Sequence, residues 1–456
     1  MSAVASVERE LREAVSADVV APTAQYLADE TEARGVRGRA DAVALPRSAQ
    51  EAAEVVAWCY ARGVPVVPRG GGTGYAAGAV PLDGGVVVAL ERLARVRSFD
   101  PLVWRMEVEA GMTTADVRRV AREGGLLFPP DPGAAEQSQI GGNVATNAGG
   151  PHAFKYGVTG AWVTGLEAVV APGELVRLGG PLRKDVAGYD LTALLVGSEG
   201  TLGVITSVWL RLTPAPEAAW PVVGCFEGVR AGCAAIERVI GNGLAVAALE
   251  YLDGETMRYA GAGFPVDIPP GTFCVVADCD GSEDEAARLR ADVIDVLGDE
   301  AVAVHAPDKV ESVAALWNWR DGVALRVMAQ RGGKASEDIA VPLDRLAEAI
   351  EESIAIGTRL GLPAASWGHA GDGNLHTTFL LARESTDDAA LAARASEELF
   401  GLALRLGGTI SGEHGVGVVK TPWLAQRLGP KASELHAAVK RAFDPKNLLN
   451  PGKKAV

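Results

Sequence analysis

Three of the six histidines lie in two short segments near the C-terminal end. The first reads Trp367-Gly-His-Ala-Gly-Asp-Gly-Asn-Leu-His376 and the second Ser411-Gly-Glu-His-Gly415. His369 and His376 are seven positions apart, with Gly371 and Gly373 between them. Two glycines within one turn disfavour a helix. The spacing therefore predicts strand, turn and strand, an arrangement that can bring both imidazoles to one point. Two imidazoles and a carboxylate suit a divalent transition metal with coordination positions left open. Glu413 is the natural third ligand. Asp372 is the alternative, but between two glycines it is placed to shape the turn. Zinc is the first choice of metal, and manganese and iron also suit these donors. Two hydrogen-bonded core histidines beside a tight turn would show the same spacing.

His414 adjoins Glu413. On an extended segment its side chain points the other way, which leaves it available as a base. An imidazole with an ordinary pKa near about 6.5 can take a proton at neutral pH. His152, His305 and His436 are read as structural or surface residues.

These segments need a scaffold, and the N-terminal half supplies clear elements. Ser48 and Glu51 predict a capping box, and Ala52, Val55, Val56, Cys59 and Tyr60 follow at helical spacing until Gly63. A strand follows at 64–67 and leads into Pro68-Arg-Gly-Gly-Gly-Thr-Gly74. Further strands are predicted at 85–90 and 104–109, and a helix from Thr113 to the Gly124-Gly125 stop. Residues 125–215 are rich in Gly, Asn and Pro but weakly charged, and read as a long functional loop region. Beyond 217, strands at 222–226 and 272–277 each precede a helix, so a separate α+β module is expected. A helix is predicted over 343–360, and the tail 443–452 is turn-rich.

Gly72-Thr-Gly-Tyr-Ala-Ala77 matches a GxGxxA pattern after a strand. A dinucleotide site of the Rossmann kind needs a helix directly afterwards. Gly78, Pro81, Asp83, Gly84 and Gly85 leave no room for a helix of three turns. The loop can still form a nest of backbone N–H groups for an anion, or it is a glycine-rich hairpin connection. A second loop joins it: Pro129-Pro-Asp-Pro132, then Gln139-Ile-Gly-Gly-Asn-Val-Ala-Thr-Asn-Ala-Gly-Gly150, Tyr156-Gly157, Gly188-Tyr-Asp-Leu191, and Gly197-Ser-Glu-Gly-Thr-Leu-Gly-Val-Ile205.

In these motifs the chain resembles FAD-linked oxidoreductases of the vanillyl-alcohol oxidase / p-cresol methylhydroxylase superfamily. The branch it is most similar to is the D-lactate dehydrogenase, glycolate oxidase FAD subunit and D-2-hydroxyglutarate dehydrogenase group. The resemblance covers roughly residues 40–215 and extends by separate motifs to the C-terminus. It implies an α+β fold: a bipartite FAD-binding domain over 1–216, an α+β substrate (cap) domain over 217–410 carrying metal-ligand residues, and a segment 411–456 returning to complete the FAD domain and active site.

It also implies roles. Gly70, Gly71, Gly72, Thr73 and Gly74 would wrap the pyrophosphate, with Gly78 and Ala79 beside them. Pro130, Gly141, Gly142, Asn143, Thr146, Asn147 and Ala148 would line the flavin and ribityl chain. Glu199, Gly200, Gly203 and Ile205 would flank the adenine end, and Pro68, Arg69, Gly150 and Asn450 are further expected cofactor-binding residues. Many relatives tether FAD through a His or Cys near the first glycines. Here Gly74-Tyr-Ala-Ala-Gly78 has neither, so non-covalent FAD is expected. His369, His376 and Glu413 would bind the metal, and His414 would deprotonate the substrate hydroxyl. Arg320 and Lys334 match positions that hold the substrate acid, and guanidinium pairs with carboxylate in a bidentate fork. Arg326 and Arg331 are nearby rivals.

The implied activity is FAD-dependent oxidation of a small D-2-hydroxy acid to the 2-oxo acid. The electron acceptor is left open among quinone, cytochrome, electron-transfer flavoprotein and oxygen. A flavin oxidase of a larger alcohol and a non-catalytic flavin subunit are the alternatives; a metal-dependent hydrolase leaves the glycine loops unexplained. Composition narrows the partners. The 456 residues carry a formal net charge of −15, a poor match to nucleic acid or anionic lipid. Five cysteines without a CxxC pair make neither a disulfide framework nor an iron–sulfur set, and Cys274 and Cys279 read as core thiols. The acidic, helix-patterned N-terminus is unlike a signal peptide, and no apolar run is long enough to span a membrane, so a cytoplasmic location is expected. A homodimer is one assembly open to it.

Overall fold

The computed structural model describes residues 3–265, 267–269, 271–383 and 385–456. Met1 and Ser2 of the N-terminal reading lie outside them. The chain divides into two units: Met1–Gly149, Val158–Ala215 and Glu413–Val456 form one, and Gly150–Gly157 with Pro216–Gly412 form the other. Residues 150–157 thus belong with the second unit, although the sequence alone places them in the first domain.

The first unit opens with strands β1 (Asp18–Val20), β2 (Ala42–Leu45), β3 (Val66–Arg69) and β4 (Val86–Ala89), in sheet order β1-β2-β4-β3. β2, β4 and β3 are parallel. β2 (Ala-Val-Ala-Leu) and β4 (Val-Val-Val-Ala) are unbroken apolar runs because both faces are covered, whereas β3 ends in Pro68 and Arg69. Val66, Val86, Val87 and Val88 are fully buried, each contributing on the order of 1.5–3 kcal/mol. The helix Ala49–Arg62 makes the crossover from β2 to β3. The Ser48 hydroxyl caps it by accepting from the Glu51 N–H, and Gly63 ends it at φ 69°. The capping box is incomplete: the Glu51 carboxylate accepts from the Arg47 N–H instead of the Ser48 N–H. Between β3 and β4 there is no helix, as the glycine and proline content predicts.

A second, antiparallel sheet contains β5 (Val96–Asp100), β6 (Arg105–Glu109), β8 (Val163–Val170), β9 (Glu174–Gly179) and β10 (Val204–Arg211), in the order β5-β6-β10-β8-β9. Short β7 (Leu126–Leu127) pairs with β11 (Thr213–Pro214). The expected loop region at 125–215 is therefore wrong in kind. It holds three long strands and the short helices Ile140–Thr146, Ala153–Tyr156 and Leu191–Leu195. Its glycines sit at strand ends and turns, as at Gly173 and Gly179, where φ is 133° and 62°.

The second unit is a seven-stranded antiparallel sheet: β12 (Ala218–Phe226), β13 (Ala248–Leu252), β14 (Phe273–Gly281), β15 (Ala303–His305), β16 (Gly332–Ala340), β17 (Ala364–His369) and β18 (Asn374–Ala382). The order is β15-β12-β14-β13-β17-β18-β16. Helices Val229–Gly241, Glu283–Gly298, Leu346–Leu360 and Thr386–Arg405 pack on one face. On the other, Val223, Cys225, Leu252, Cys274, Val276, Trp367 and Leu380 pack with Leu316, Trp319, Val323 and Val327 of the helices Val310–Asp321 and Val323–Ala329. Side chains alternate between the faces of a strand. Two residues along from Leu252, Val276 and Trp367 the same face therefore presents Glu250, Asp278 and His369; His376 lies four residues from Leu380 on that face, and Asp338 is its register partner on β16. Cys274 and Cys279 are fully buried thiols. No helix among the described residues is long and apolar enough to cross a membrane.

Candidate active site

β17 and β18 form the predicted strand–turn–strand around Ala370–Asp372. The turn is tight. A Cβ at Gly371 would come within 2.4 Å of the Phe154 ring, and one at Gly373 within 2.1 Å of the Val341 carbonyl oxygen. Gly373 also needs φ 64°. His369 ends β17 and His376 lies on β18, both buried. Their Nε2 atoms are 3.4 Å apart and their rings cross at 86°. Two nitrogens each about 2.0–2.1 Å from a tetrahedral ion would be separated by roughly 3.3 Å. The observed separation is close to that value.

The Ser411-Gly412 segment is held by a carboxylate the sequence analysis missed. Asp338 on β16 lies opposite His376 in register and is fully buried. Its Oδ2 accepts from the Gly412 N–H and the Ser411 hydroxyl, both at 2.9 Å. Asn374 Nδ2 donates to its Oδ1 at 2.6 Å. One donor atom each of His369, His376 and Glu413 lies within 4.8 Å of the others. Asp372 is exposed in the turn and is not in this group.

Glu250 is the second missed residue. It is fully buried on β13 and pairs in register with His369. Its Oε1 is 2.5 Å from His369 Nδ1, and its Oε2 accepts from Arg320 Nη2. Burial works to raise the Glu250 carboxyl, but His369 and Arg320 outweigh it and hold the group below its usual range. The expected substrate cation Arg320 thus already faces a carboxylate, while its buried Nε has no hydrogen-bond partner among the described residues. Lys334 is half-buried on β16, two residues from Ser336 and on its face. Arg326 donates to the Trp319 carbonyl and Arg331 to Asp388, so both rivals are engaged elsewhere.

His414 departs from expectation. Its Nε2 lies 3.7 Å from Glu413 Oε1, so the two side chains do not point in opposite directions. The segment is bent, with Gly415 at φ 83°, and not extended. The imidazole stacks on Tyr75. A Cβ at Gly149 would come within 2.6 Å of Glu413 Oε2, so this glycine gives the carboxylate its room.

The glycine loops of the first unit pack backbone to backbone. Gly70 and Gly142 approach each other closely, and a Cβ at Gly71 would fall 2.0 Å from the Gln137 oxygen. The buried Gln139 Oε1, beside Gly70, has no hydrogen-bond partner among the described residues. Bare backbone with an unsatisfied polar atom fits a polar ligand such as a dinucleotide. Other expected flavin residues have structural duties. Asn143 Nδ2 donates to Thr114, the Thr146 hydroxyl donates to the Gly142 carbonyl, and Asn147 Oδ1 accepts from the Gly160 N–H. The Ala148 carbonyl receives the Thr159 hydroxyl. Arg69 donates to the Gln25 carbonyl. The buried Glu199 accepts from the N–H groups of Val416 and Gly417 at 2.9 and 2.6 Å. Asn450 Nδ2 donates to the Gly78 and Glu199 carbonyls. Gly200 packs on Pro68, Gly203 directly precedes β10, and Ile205 is buried within it. Gly150 belongs to the second unit, where His152 contacts Asp278 and Lys155 and Tyr156 bind Asp280. His436 contacts the Lys454 carbonyl, and His305 lies on the edge strand β15.

Comparison with known proteins then decides the family. Residues 40–179 match the FAD binding domain, and 216–454 match the C-terminal domain of FAD linked oxidases. The chain belongs to the FAD-linked oxidase family. It is an FAD-dependent oxidoreductase. It is 36% identical to glycolate oxidase subunit GlcD of Bacillus subtilis (strain 168), over 91% of this chain and 88% of that one. It is 33% identical to D-lactate dehydrogenase of Anaerostipes hadrus, over 91% and 90%. In fold it is similar to p-cresol methylhydroxylase, with a TM-score of 0.80 over 99% of this oxidase and 96% of that chain, at 17% identity. The expected α+β flavoprotein fold is thereby borne out.

Proposed function

We propose that this oxidoreductase converts a small 2-hydroxy acid, of the D-lactate, glycolate or D-2-hydroxyglutarate type, to its 2-oxo acid. The observation that carries the reading is the grouping of His369, His376 and Glu413 with His414 next in sequence. The names of the relatives, a glycolate oxidase subunit and a D-lactate dehydrogenase, support it.

When bound, FAD supplies a hydride acceptor at N5 and a divalent ion, zinc being the first choice, supplies Lewis acidity. His369 Nε2, His376 Nε2 and a Glu413 oxygen would hold that ion. Pro68, Arg69, Gly70–Gly74, Gly78, Ala79, Pro130, Gly141–Asn143, Thr146–Ala148, Gly150, Glu199, Gly200, Gly203, Ile205 and Asn450 would shape the FAD site, without a covalent tether. Arg320 would hold the substrate carboxylate with the guanidinium donors that Glu250 leaves, since the fork has five N–H groups. Lys334 would serve a carboxylate as well. His414 takes the hydroxyl proton at an imidazole nitrogen. Loss of that proton, and of the C2 hydrogen with its electron pair, leaves the 2-oxo acid. The reduced protein then passes two electrons to a quinone, cytochrome, electron-transfer flavoprotein or oxygen.

His414→Asn tests the assignment of the base. Rapid mixing with substrate under anaerobic conditions should show no flavin bleaching in this variant, while FAD stays bound. Bleaching at the full rate would remove His414 from the mechanism.

A further inference from the structure

A neutral imidazole carries one N–H, and whichever nitrogen holds it cannot be a metal ligand. In His369 that choice is made by Glu250. The carboxylate oxygen lies 2.5 Å from Nδ1. Nδ1 is therefore the protonated nitrogen, and Nε2 presents its lone pair toward His376 Nε2, 3.4 Å away. Glu250 is rigidly placed. It sits in a wholly buried strand segment, Ala248–Leu252, between β14 and β17. Its other oxygen is held by Arg320, whose side chain is 11% exposed. A carboxylate with no solvent contact and two cationic or donor partners can neither rotate away nor change partner without leaving a buried charge uncompensated.

We propose that Glu250 is a positioning residue of the metal centre. It fixes the tautomer and ring orientation of His369 and raises the donor strength of Nε2, while Arg320 fixes Glu250. The inference rests on the metal-binding reading above and adds a residue to it. Loss of such an outer partner weakens metal binding by about 10–100-fold in comparable sites.

The test is the zinc dissociation constant of the FAD-loaded protein, measured by competition with a graded chelator series, for wild type and Glu250→Gln. The glutamine keeps the shape but not the charge. Expected is a 10–100-fold weaker constant with unchanged FAD content. If the single variant fails to fold because Arg320 is left unpaired, the double variant Glu250→Gln/Arg320→Gln removes both buried charges and should show the same loss. An unchanged zinc constant, with only a lower unfolding temperature of the metal-free protein, would make Glu250 merely structural and overturn the proposal. Failure of the wild type itself to bind zinc, manganese or iron would instead sink the metal centre, a distinguishable result.

Discussion

The phenol ring of Tyr75 lies flat against the imidazole of His414, with ring centroids 4.7 Å apart and planes inclined by 27°. Tyr75 comes from the glycine loop after β3, and His414 from the segment that Glu199 ties down through Val416 and Gly417. Two distant stretches of chain thus meet at His414, the proposed base. Stacked aromatic pairs contribute about 0.5–1.5 kcal/mol beyond area burial. Tyr75→Phe should keep the rate of flavin reduction within about twofold, and Tyr75→Ala should lower it roughly tenfold. Both should retain FAD. A full rate in Tyr75→Ala would show that the stack does not place His414.

Gly71 tests the cofactor loop. A methyl group there would overlap the Gln137 carbonyl at 2.0 Å, a backbone atom that no rotamer change can move. The two loops must separate to relieve it. Gly71→Ala should therefore weaken FAD binding at least about tenfold, read by flavin fluorescence on titration of the stripped protein. Unchanged affinity in a soluble variant would mean the close approach of these loops is not part of the FAD site.

Asp253 predicts a pH effect on stability. Its side chain caps the helix Gly254–Ala260 by accepting from the Thr256 N–H, and it also accepts from the Ser366 N–H. Complete burial pushes its carboxyl up to about 6 from an ordinary 3.8, against those hydrogen bonds. The folded state binds the proton more tightly than the unfolded chain does. The resulting stabilisation is full below about pH 4 and fades as pH rises through about 6. Asn at this position has no charge to bury. Relative to Asp253→Asn, the wild type should lose unfolding free energy between pH 4 and 7, on the order of 1–3 kcal/mol. Parallel stability curves for the two proteins would contradict the burial argument.

The sequence disclosed some of this directly and hid the rest for physical reasons. The helix Ala49–Arg62 announces itself by a local cap and a glycine stop, and the His369–His376 turn by its glycines. Both signals sit within a few residues. Glu250 and Asp338 give no such signal. Each is a lone carboxylate in a strand, and their partners lie 119 residues away in His369 and 74 in Gly412. Only a buried acid in an otherwise apolar strand, Ala-Leu-Glu-Tyr-Leu, hints that a cation or N–H must meet it. β8, β9 and β10 were hidden because glycines at their turns diluted the strand pattern. The bend that turns His414 toward Glu413 depends on Gly412 and Gly415, whose freedom permits several paths.

The most direct measurement is anaerobic stopped-flow absorbance of the FAD-loaded protein against D-lactate, glycolate, D-2-hydroxyglutarate and D-malate, before and after metal removal. At least one acid should bleach the flavin in the metal-replete protein. The metal-free protein should keep its FAD, react at least about a hundredfold more slowly, and recover when zinc or manganese is returned. Flavin that none of these acids reduces, or that is reduced at full rate without metal, would contradict the account.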